Sequence, residues 1–189
     1  MRNIRLFTEK PPLLQADVLE IGPGNGELIL SLAQTFPDTT FAAIEVRRSR
    51  FHRLALKIEK LNLKNIFIVH GNARTVVPNF KPKSLEKIYI LFPDPWPKRR
   101  HAFRRLLNPE FLFICTRCLS EGGELFLATD VETYGQQARQ ILAQIRELKE
   151  MSPPSGFFLP GDQRQTGFEQ KWTRQGKSIT KLLFQRAIA

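Results

Sequence analysis

Residues 18–28, VLEIGPGNGEL, join a short apolar run to the start of a helical pattern through a segment that contains three glycines. Gly22, Gly24 and Gly26 occupy the predicted turn between strand and helix, where a missing side chain lets a ligand approach the backbone. In sheets of this kind, ligands bind beyond the carboxyl ends of the strands. The stretch therefore predicts the first strand of a parallel α/β sheet, followed directly by a ligand-binding turn.

The rest of the chain continues this alternation of apolar runs and helical patterns, which is typical of a parallel sheet with helices on both faces. The predicted strands cover residues 17–21, 40–46, 66–69, 87–92 and 125–129. The predicted helices cover residues 27–36, 48–61 and 132–150, with another helix ending near Cys118 and a turn at residues 120–123. Because the chain has 189 residues and no evident linker or repeat, we expect a single domain over residues 1–189.

Both ends of the chain depart from this alternation. Residues 1–15 form a short N-terminal arm before the first predicted strand. Residues 151–177 are rich in Pro, Gly, Gln and charged residues, and they predict a long exposed connection around a short strand near residues 157–159. The final segment, SITKLLFQRA at residues 178–187, predicts a last strand with no helix after it, which is therefore able to pair antiparallel.

Composition limits the class of partner and the compartment. Lys and Arg outnumber Asp and Glu by 29 to 18, and the net charge of +11 favours either nucleic acid or an anionic membrane surface. No apolar run reaches the roughly 20 residues of a membrane span, and the opening residues lack the apolar core of a secretion signal, so we expect a cytoplasmic protein. Cys115 and Cys118 are expected to be buried, reduced thiols. No metal site is expected, because one C-x-x-C is incomplete and His52, His70 and His101 are scattered.

Polar residues at successive predicted strand ends accompany the glycine turn. Glu45 ends the second strand, where a carboxylate can accept both hydroxyls of a ribose, and Asn72 follows the third, where an amide can pair with an adenine edge. Glu20 precedes the glycines, where it would attract a cationic amino acid group and repel a pyrophosphate. The spacing G-x-G-x-G also differs from the dinucleotide fingerprint. These residues favour S-adenosylmethionine as cofactor; the alternative is a tight turn beside two solvated glutamates.

A second motif, LFPDPWPKRR at residues 91–100, holds Asp94 between prolines directly after the fourth predicted strand. Each proline fixes its own φ and restricts the residue before it, so the carboxylate is preorganised. Five cationic residues follow within a span of eight: Lys98, Arg99, Arg100, Arg104 and Arg105. Arg100 and Arg104 are four residues apart and are expected to share a helix face. The cluster suits RNA phosphates, with a rigid surface turn and a solvated charged face as the alternatives.

Several of these motifs together resemble the signature of the bacterial tRNA (guanine-N(7)-)-methyltransferases. They are LEIGPGNG at residues 19–26, FPDPWPKRRH at 92–101, RRL at 104–106, ATD at 128–130 and TGFE at 166–169. The resemblance spans residues 16–187. It implies a Rossmann-like class I S-adenosylmethionine-dependent methyltransferase with a mostly parallel seven-stranded sheet, an antiparallel last strand and helices on both faces. It also implies methylation of guanine N7 at position 46 in the tRNA variable loop.

The chemistry of guanine N7 is consistent with an orienting role for Asp94. N7 carries a free lone pair, so methylation there removes no proton, and alignment with the methyl carbon is the larger task. Asp94 is therefore the predicted catalytic residue, orienting guanine through its N–H donors and offsetting the positive charge that develops on the purine. The resemblance also places Asp94 near the cofactor and implies that Lys98 and Asp130 contact substrate.

Further contacts to tRNA are expected from the connection and the basic cluster. The TGFE stretch adds Thr166, Gly167, Phe168 and Glu169 as substrate-binding residues; Glu169 would accept from guanine N–H groups and Phe168 would stack on a base. The predicted phosphate contacts are Arg99, Arg100, Arg104 and Arg105. The alternatives are a mobile loop for TGFE and a helix N-cap for Asp130.

Two features depart from the family pattern, and two other functions stay open. The segment before the first strand is shorter than usual, and Asn72 stands where an acid is more common. The alternatives are a methyltransferase of the same fold that acts on another RNA or a small molecule, and a catalytically silent RNA-binding protein. Apart from tRNA, no obligate partner is expected, and the chain is expected to be a monomer or a homodimer.

Overall fold

The sheet is the feature that organises the molecule. The computed structural model describes residues 4–5, 13–153, 175–176 and 178–188. Within these ranges the strands are β1 (Ile4–Arg5), β2 (Val18–Ile21), β3 (Phe41–Glu45), β4 (Ile66–His70), β5 (Leu85–Leu91), β6 (Leu119–Thr129), β7 (Leu148–Met151) and β8 (Thr180–Arg186). They form one sheet in the order β1-β4-β3-β2-β5-β6-β8-β7.

The pairing of the strands confirms the predicted fold class. Strands β1 to β6 pair in parallel, whereas β8 runs antiparallel to both β6 and β7. Strands β2 to β8 are the seven strands of the predicted sheet, with the antiparallel last strand between β6 and β7. The two-residue strand β1 adds one short edge strand, within the segment predicted to be an arm.

Helices cover both faces of this sheet. They are α1 (Glu27–Thr35), α2 (Arg48–Lys60), α3 (Ala73–Val76), α4 (Pro109–Cys118) and α5 (Glu132–Ala143). One core layer joins sheet side chains to α1 and α2, and the other joins the opposite side chains to α3, α4 and α5. Along β2, Val18 belongs to the first layer, whereas Leu19 and Ile21 belong to the second. The continuous apolar strands are therefore explained by burial on both faces.

The cysteine pair is part of the second core layer, as predicted. Cys115 and Cys118 are free and buried on α4. The Cys118 thiol donates to the Val77 carbonyl at 3.6 Å. Burial raises the pKa of Cys115 and raises the pKa of Cys118 to about 11. Both groups are therefore protonated, packed thiols at neutral pH.

The predicted helix over residues 132–150 was wrong at its C-terminal end. Helix α5 ends at Ala143, and residues 148–151 form β7. Strand β7 is mostly exposed and pairs with β8, so its backbone hydrogen bonds come from a segment distant in sequence. The local pattern, LKEM, carries neither an apolar alternation nor a Gly or Pro that would mark the change.

The predicted turn at residues 120–123 was also wrong, because these residues lie inside β6. The register between β5 and β6 shifts between Leu85 and Lys87, and Gly122 takes a positive φ of 74° within this irregular section. A β-carbon on Gly123 would lie 2.9 Å from the Leu85 carbonyl oxygen. The glycines therefore permit a bulged, close pairing rather than a chain reversal.

Most of the predicted connection over residues 151–177, with its short strand near 157–159, lies outside the described residues. Among the helices of the described ranges, none is long and apolar enough to cross a membrane.

Candidate active site

A cleft of about 920 Å³ opens at the carboxyl ends of β2, β3, β4 and β5. It is lined by the glycine turn, by the polar strand ends and by the segment that contains Asp94. Its lining includes Glu20, Gly22, Asn25, Glu27, Glu45, Arg47, Arg50, Asn72, Arg74, Asp94, Trp96, Phe103 and Arg104. The predicted cofactor and catalytic motifs therefore meet in one place, as expected for parallel strands.

The glycine turn has the conformation that only glycine adopts easily. Gly22, Gly24 and Gly26 all have positive φ, and Gly26 begins α1 in the left-handed region. A β-carbon on Gly26 would lie 2.4 Å from Cδ1 of Leu54, on the neighbouring helix α2. The turn is also held from α2 by the Lys57 Nζ, which donates to the Asn25 carbonyl at 2.7 Å. Gly22 brings backbone rather than a side chain to the cleft lining, whereas Gly24 and Gly26 are not part of that lining and Gly26 is needed for close packing against Leu54.

Glu45 is a buried carboxylate at the end of β3 with one oxygen in use. Its Oε1 accepts from the backbone N–H of Arg47 at 2.7 Å, whereas its Oε2 is buried and has no hydrogen-bond partner among the described residues. Its residue exposure is 3%. An unsatisfied buried oxygen is costly unless a ligand completes it, and the hydroxyls of a ribose are suitable donors.

Glu20 is equally buried, at 3% exposure, and its Oε2 also lacks a hydrogen-bond partner within the described part of the chain. The pKa of Glu20 is raised to about 8, chiefly by burial and in smaller part by the charges of Glu27 and Glu45, against a backbone hydrogen bond with Ile29 that lowers it. A cationic ligand group close to this carboxyl would favour its ionised form. The pair of orphaned acid oxygens fits a ligand that carries both hydroxyls and a positive charge.

Asn72 lies on the cleft after β4 and caps the short helix α3. Its Oδ1 accepts from the backbone N–H of Arg74 at 3.0 Å. The amide N–H donors and the second lone pair of the oxygen are not needed for this cap, so they suit the edge of an adenine. The adenine contact of Asn72 stays a prediction.

Asp94 is exposed on the cleft at the head of the proline motif. The chain reaches it through Phe92, which has a φ of 48° and donates its N–H to the Ala128 carbonyl at 2.8 Å. Its Oδ2 lies 3.6 Å from Nη2 of Arg47, in an ion pair whose two side chains are 67% and 56% exposed. Such a solvent-exposed pair is worth little, so the carboxylate is readily available to another partner.

Two arginines brace the segment that carries Asp94. Arg105 donates from Nε to the Pro95 carbonyl at 3.0 Å, and from Nη2 to the Trp96 carbonyl at 3.3 Å. Arg74 donates from Nη1 to the Phe103 carbonyl at 3.0 Å and from Nη2 to the Arg105 carbonyl. The brace therefore connects Arg74, two residues after the Asn72 cap, through Arg105 to the backbone next to Asp94.

The basic cluster does not form the helix face that was expected. Residues Arg99–Arg104 form a 3₁₀ segment, in which positions three apart are aligned, so Arg100 and Arg104 do not share a face. Lys98, Arg99, Arg100 and Arg104 are exposed, whereas Arg105 is half-buried. Phosphate contacts therefore stay predictions for Arg99, Arg100 and Arg104, and the guanidinium of Arg105 is already occupied by the brace.

Sequence reasoning missed three arginines that line the cleft. Arg47 and Arg50 line it at the start of α2, and Arg74 lines it from α3. For the first two, the available signal was the run VRRSR directly after Glu45, because a strand end in a parallel sheet places the next residues at the ligand edge. Together with Arg104, these arginines add positive charge to the lining of the cleft.

Two further predicted substrate residues are not part of this lining. Lys98 is exposed and Asp130 is half-buried, and neither lines the cleft. Asp130 is not the N-cap of α5, because Val131 occupies that position. Thr166, Gly167, Phe168 and Glu169 lie outside the described residues.

Comparisons with known proteins identify the family to which the chain belongs. Residues 15–182 match a family model described as "Putative methyltransferase". A tRNA (guanine-N(7)-)-methyltransferase of Nitrosococcus oceani is 37% identical over 173 residues, which are 90% of this chain and 72% of that protein. One of Nitrosomonas europaea is 37% identical over 172 residues, 89% of this chain and 75% of that protein. A solved SAM dependent methyltransferase from Aquifex aeolicus shares the fold, with a TM-score of 0.61 at 14% identity, covering 93% of this chain and 85% of that one.

The sheet order, the glycine turn and the acidic strand ends define a Rossmann-like methyltransferase. The curated relatives narrow this class. The chain belongs to the bacterial tRNA (guanine-N(7)-)-methyltransferase family.

Proposed function

We propose that this chain transfers a methyl group from S-adenosylmethionine to N7 of a guanine in tRNA. The observation that carries the proposal is the shared cleft, where two buried acid oxygens without partners among the described residues lie with the exposed carboxylate of Asp94. Family membership selects tRNA guanine as the substrate. The methylated position is proposed to be 46, in the variable loop.

The chain's own residues fit the cofactor at three points. Glu45 offers its unsatisfied oxygen to the ribose hydroxyls, Glu20 faces the cationic amino group, and Asn72 pairs with the adenine edge. The open glycine backbone at Gly22 admits the ligand without steric conflict, since a β-carbon there would meet no atom within 4 Å. When bound, S-adenosylmethionine supplies a methyl group on a positively charged sulfur, which departs as a neutral thioether.

The proposed role of Asp94 is to bind and orient the guanine, not to transfer a proton. The lone pair of N7 forms the new bond to carbon, so no general base is needed. Asp94 accepts hydrogen bonds from guanine N–H groups and its negative charge offsets the purine as it becomes cationic. The prolines and the Arg105 brace hold this carboxylate in place before the substrate arrives, which is the positioning that an alkyl transfer requires.

The tRNA is proposed to lie across the cationic rim. Arg99, Arg100 and Arg104 contact phosphates, which set the register of the RNA without reading its sequence. Lys98, Asp130 and the TGFE residues remain predicted substrate contacts. The activity is proposed to be cytoplasmic, and the protein is proposed to be a monomer or a homodimer.

Methyl transfer to unmodified tRNA, followed by mapping of the modified base, tests the proposal. The expected result is 7-methylguanosine at one variable-loop position, dependent on S-adenosylmethionine. Modification of another RNA alone would indicate a different substrate within the same fold. Tight tRNA binding without methylation, and without stabilisation by S-adenosylmethionine in a thermal-shift scan, would indicate a silent RNA-binding protein.

A further inference from the structure

An aromatic cluster borders the cleft beside Asp94. The guanidinium of Arg104 lies 4.9 Å from the centre of the Trp96 ring and 5.5 Å from the centre of the Phe103 ring. The His101 ring meets Trp96 edge-on, with 5.7 Å between their centres. Trp96, Phe103 and Arg104 all line the cleft, so the cluster faces the proposed reaction centre.

Phe103 is the exposed member of this cluster. Its exposure is 69%, although its backbone is fixed by the bond from Arg74 to its carbonyl at 3.0 Å. A single exposed aromatic residue is common on protein surfaces and needs no explanation by itself. Here the ring also belongs to a braced segment, lies near the Arg104 guanidinium and lines the proposed substrate cleft. Those conditions limit the entropy that the ring would lose on contacting a ligand.

We propose that Phe103 is a stacking platform for an unstacked RNA base at the mouth of the cleft. The inference rests on the proposed function, because it requires that the substrate is tRNA. Single-stranded RNA is commonly held by bases stacked on aromatic side chains and on arginine planes, and Phe103 with Arg104 presents both surfaces. Arg99 and Arg100 precede them on the same segment, so neighbouring phosphates of one strand can be held there.

The position of Phe103 separates this role from adenine binding by the cofactor. The residues proposed for the cofactor lie at the ends of β2, β3 and β4, whereas Phe103 belongs to the 3₁₀ segment that follows Asp94. The charge of that segment is positive, since it contains Arg99, Arg100 and Arg104, and the Arg104 guanidinium lies near the ring. A polyanionic ligand is therefore favoured over the cationic cofactor at this point.

The test compares Phe103→Ala with the wild-type protein in equilibrium tRNA binding and in methyl transfer. Loss of one base stack corresponds to roughly a 5- to 150-fold fall in tRNA affinity or in kcat/KM. Phe103→Trp keeps a stacking surface and is expected to restore most of the loss, whereas Phe103→Leu keeps apolar bulk and is not. The affinity for S-adenosylmethionine is expected to be unchanged in all three variants.

Phe113→Ala is the matched control, because Phe113 is 48% exposed on α4 and does not line the cleft. Equal tRNA affinity and equal kcat/KM in wild type and Phe103→Ala would overturn the proposal. So would full rescue by Phe103→Leu, or a loss confined to cofactor affinity. Because binding is measured apart from catalysis, a protein that binds tRNA through Phe103 but methylates nothing would refute the proposed function alone.

A tRNA with an abasic site beside the methylated guanine identifies the stacked base. If Phe103 stacks on this flanking base, the abasic tRNA has already lost the stack. Phe103→Ala is then expected to lower the affinity for the abasic tRNA only slightly. If Phe103 stacks on the target guanine, the two losses are expected to add. The inference would be contradicted if the losses from Phe103→Ala and from the abasic site were fully additive and Phe103→Leu restored the affinity. That result would mean that Phe103 stacks on neither nucleotide.

Discussion

Glu20 places an acid where the surrounding protein disfavours its charge. Burial raises its pKa to about 8, against 4.5 for the ordinary group. Because the folded pKa is the higher one, the folded protein retains a proton that the unfolded chain has lost between these values. The contribution of Glu20 to stability is therefore complete below about pH 4.5 and is lost progressively as the pH rises to about 8, by a few kcal/mol at most.

Glu20→Gln is expected to separate stability from cofactor binding. Without S-adenosylmethionine, the variant should gain stability relative to wild type as the pH rises from 5 to 8, because the amide is neutral throughout. The wild-type affinity for the cofactor should increase up to about pH 8, by at most about tenfold per unit, since the cationic group favours ionised Glu20. The variant should bind more weakly and without this dependence.

Thermal unfolding and calorimetric titration across this pH range measure both effects. Glu59→Gln, at an exposed position of α2, is the control and should follow wild type. A wild-type cofactor affinity that is constant from pH 6 to pH 8 would contradict the assignment of Glu20 to the cationic group.

Asp94→Asn tests the orienting role at the same scale. The amide keeps the shape of the side chain but loses the negative charge and presents donors to guanine N–H groups. We expect kcat/KM to fall by about 10²- to 10³-fold, the size seen when one preorganised contact to the transition state is removed. Binding of tRNA should change little, because phosphate contacts dominate it.

Steady-state methyl transfer with unmodified tRNA provides this measurement. Asp38→Asn, in the exposed turn between α1 and β3, is the matched control. Near wild-type turnover of Asp94→Asn, with tRNA bound normally, would refute the role.

At the scale of elements, Arg105 joins the segment after β5 to α5. Besides the Pro95 and Trp96 carbonyls, its guanidinium contacts Gln137 at 3.4 Å and lies 5.9 Å from the centre of the Tyr134 ring. Tyr134 in turn accepts from the Leu107 N–H at 3.0 Å. These contacts satisfy backbone carbonyls in a loop that has no strand or helix ladder of its own.

Arg105→Lys is expected to lower kcat by about tenfold or more while leaving the salt dependence of tRNA binding unchanged. Lysine keeps the charge but cannot reproduce the planar fork that serves two carbonyls and Gln137 at once, so the segment with Asp94 loses its alignment. Arg53→Lys, at an exposed position of α2 away from the cleft lining, is the control with the same chemical change. A wild-type kcat for Arg105→Lys would contradict the positioning role of this arginine.

The elements differ in how far local sequence determines them. The positions of Gly22, Glu45 and Asp94 on one cleft were predictable because strand ends in a parallel sheet converge and each motif directly follows an apolar run. Strand β7 was not, since its exposed residues gain order from β8 in a distant part of the chain. The hydrogen bonds of the Arg105 guanidinium could not be predicted either, because the positions of its carbonyl acceptors depend on the backbone conformation around Trp96, which has a φ of 43°.

At the scale of the whole molecule, the cationic and the acidic residues of the cleft lie at different depths. Arg47, Arg50 and Arg104 line the cleft, and Arg99 and Arg100 lie on the same exposed segment as Arg104. The acids that define the cofactor pocket are buried below this rim. A polyanion is therefore drawn to the mouth of the cleft, whereas the cationic group of the cofactor is favoured at its base.

The salt dependence of tRNA binding measures this arrangement. Neutralising Arg99, Arg100 and Arg104 to Gln should reduce the slope of log K against log salt by roughly one unit for each lost phosphate contact. The matched control is the triple change of Lys60, Lys64 and Lys81 to Gln, exposed residues close to the amino-terminal ends of β4 and β5. It removes the same net charge from the edge of the sheet opposite the cleft. Equal slopes for the two triple variants would mean that tRNA binding depends on the overall charge of the protein. That result would contradict the proposal that tRNA binds at this rim.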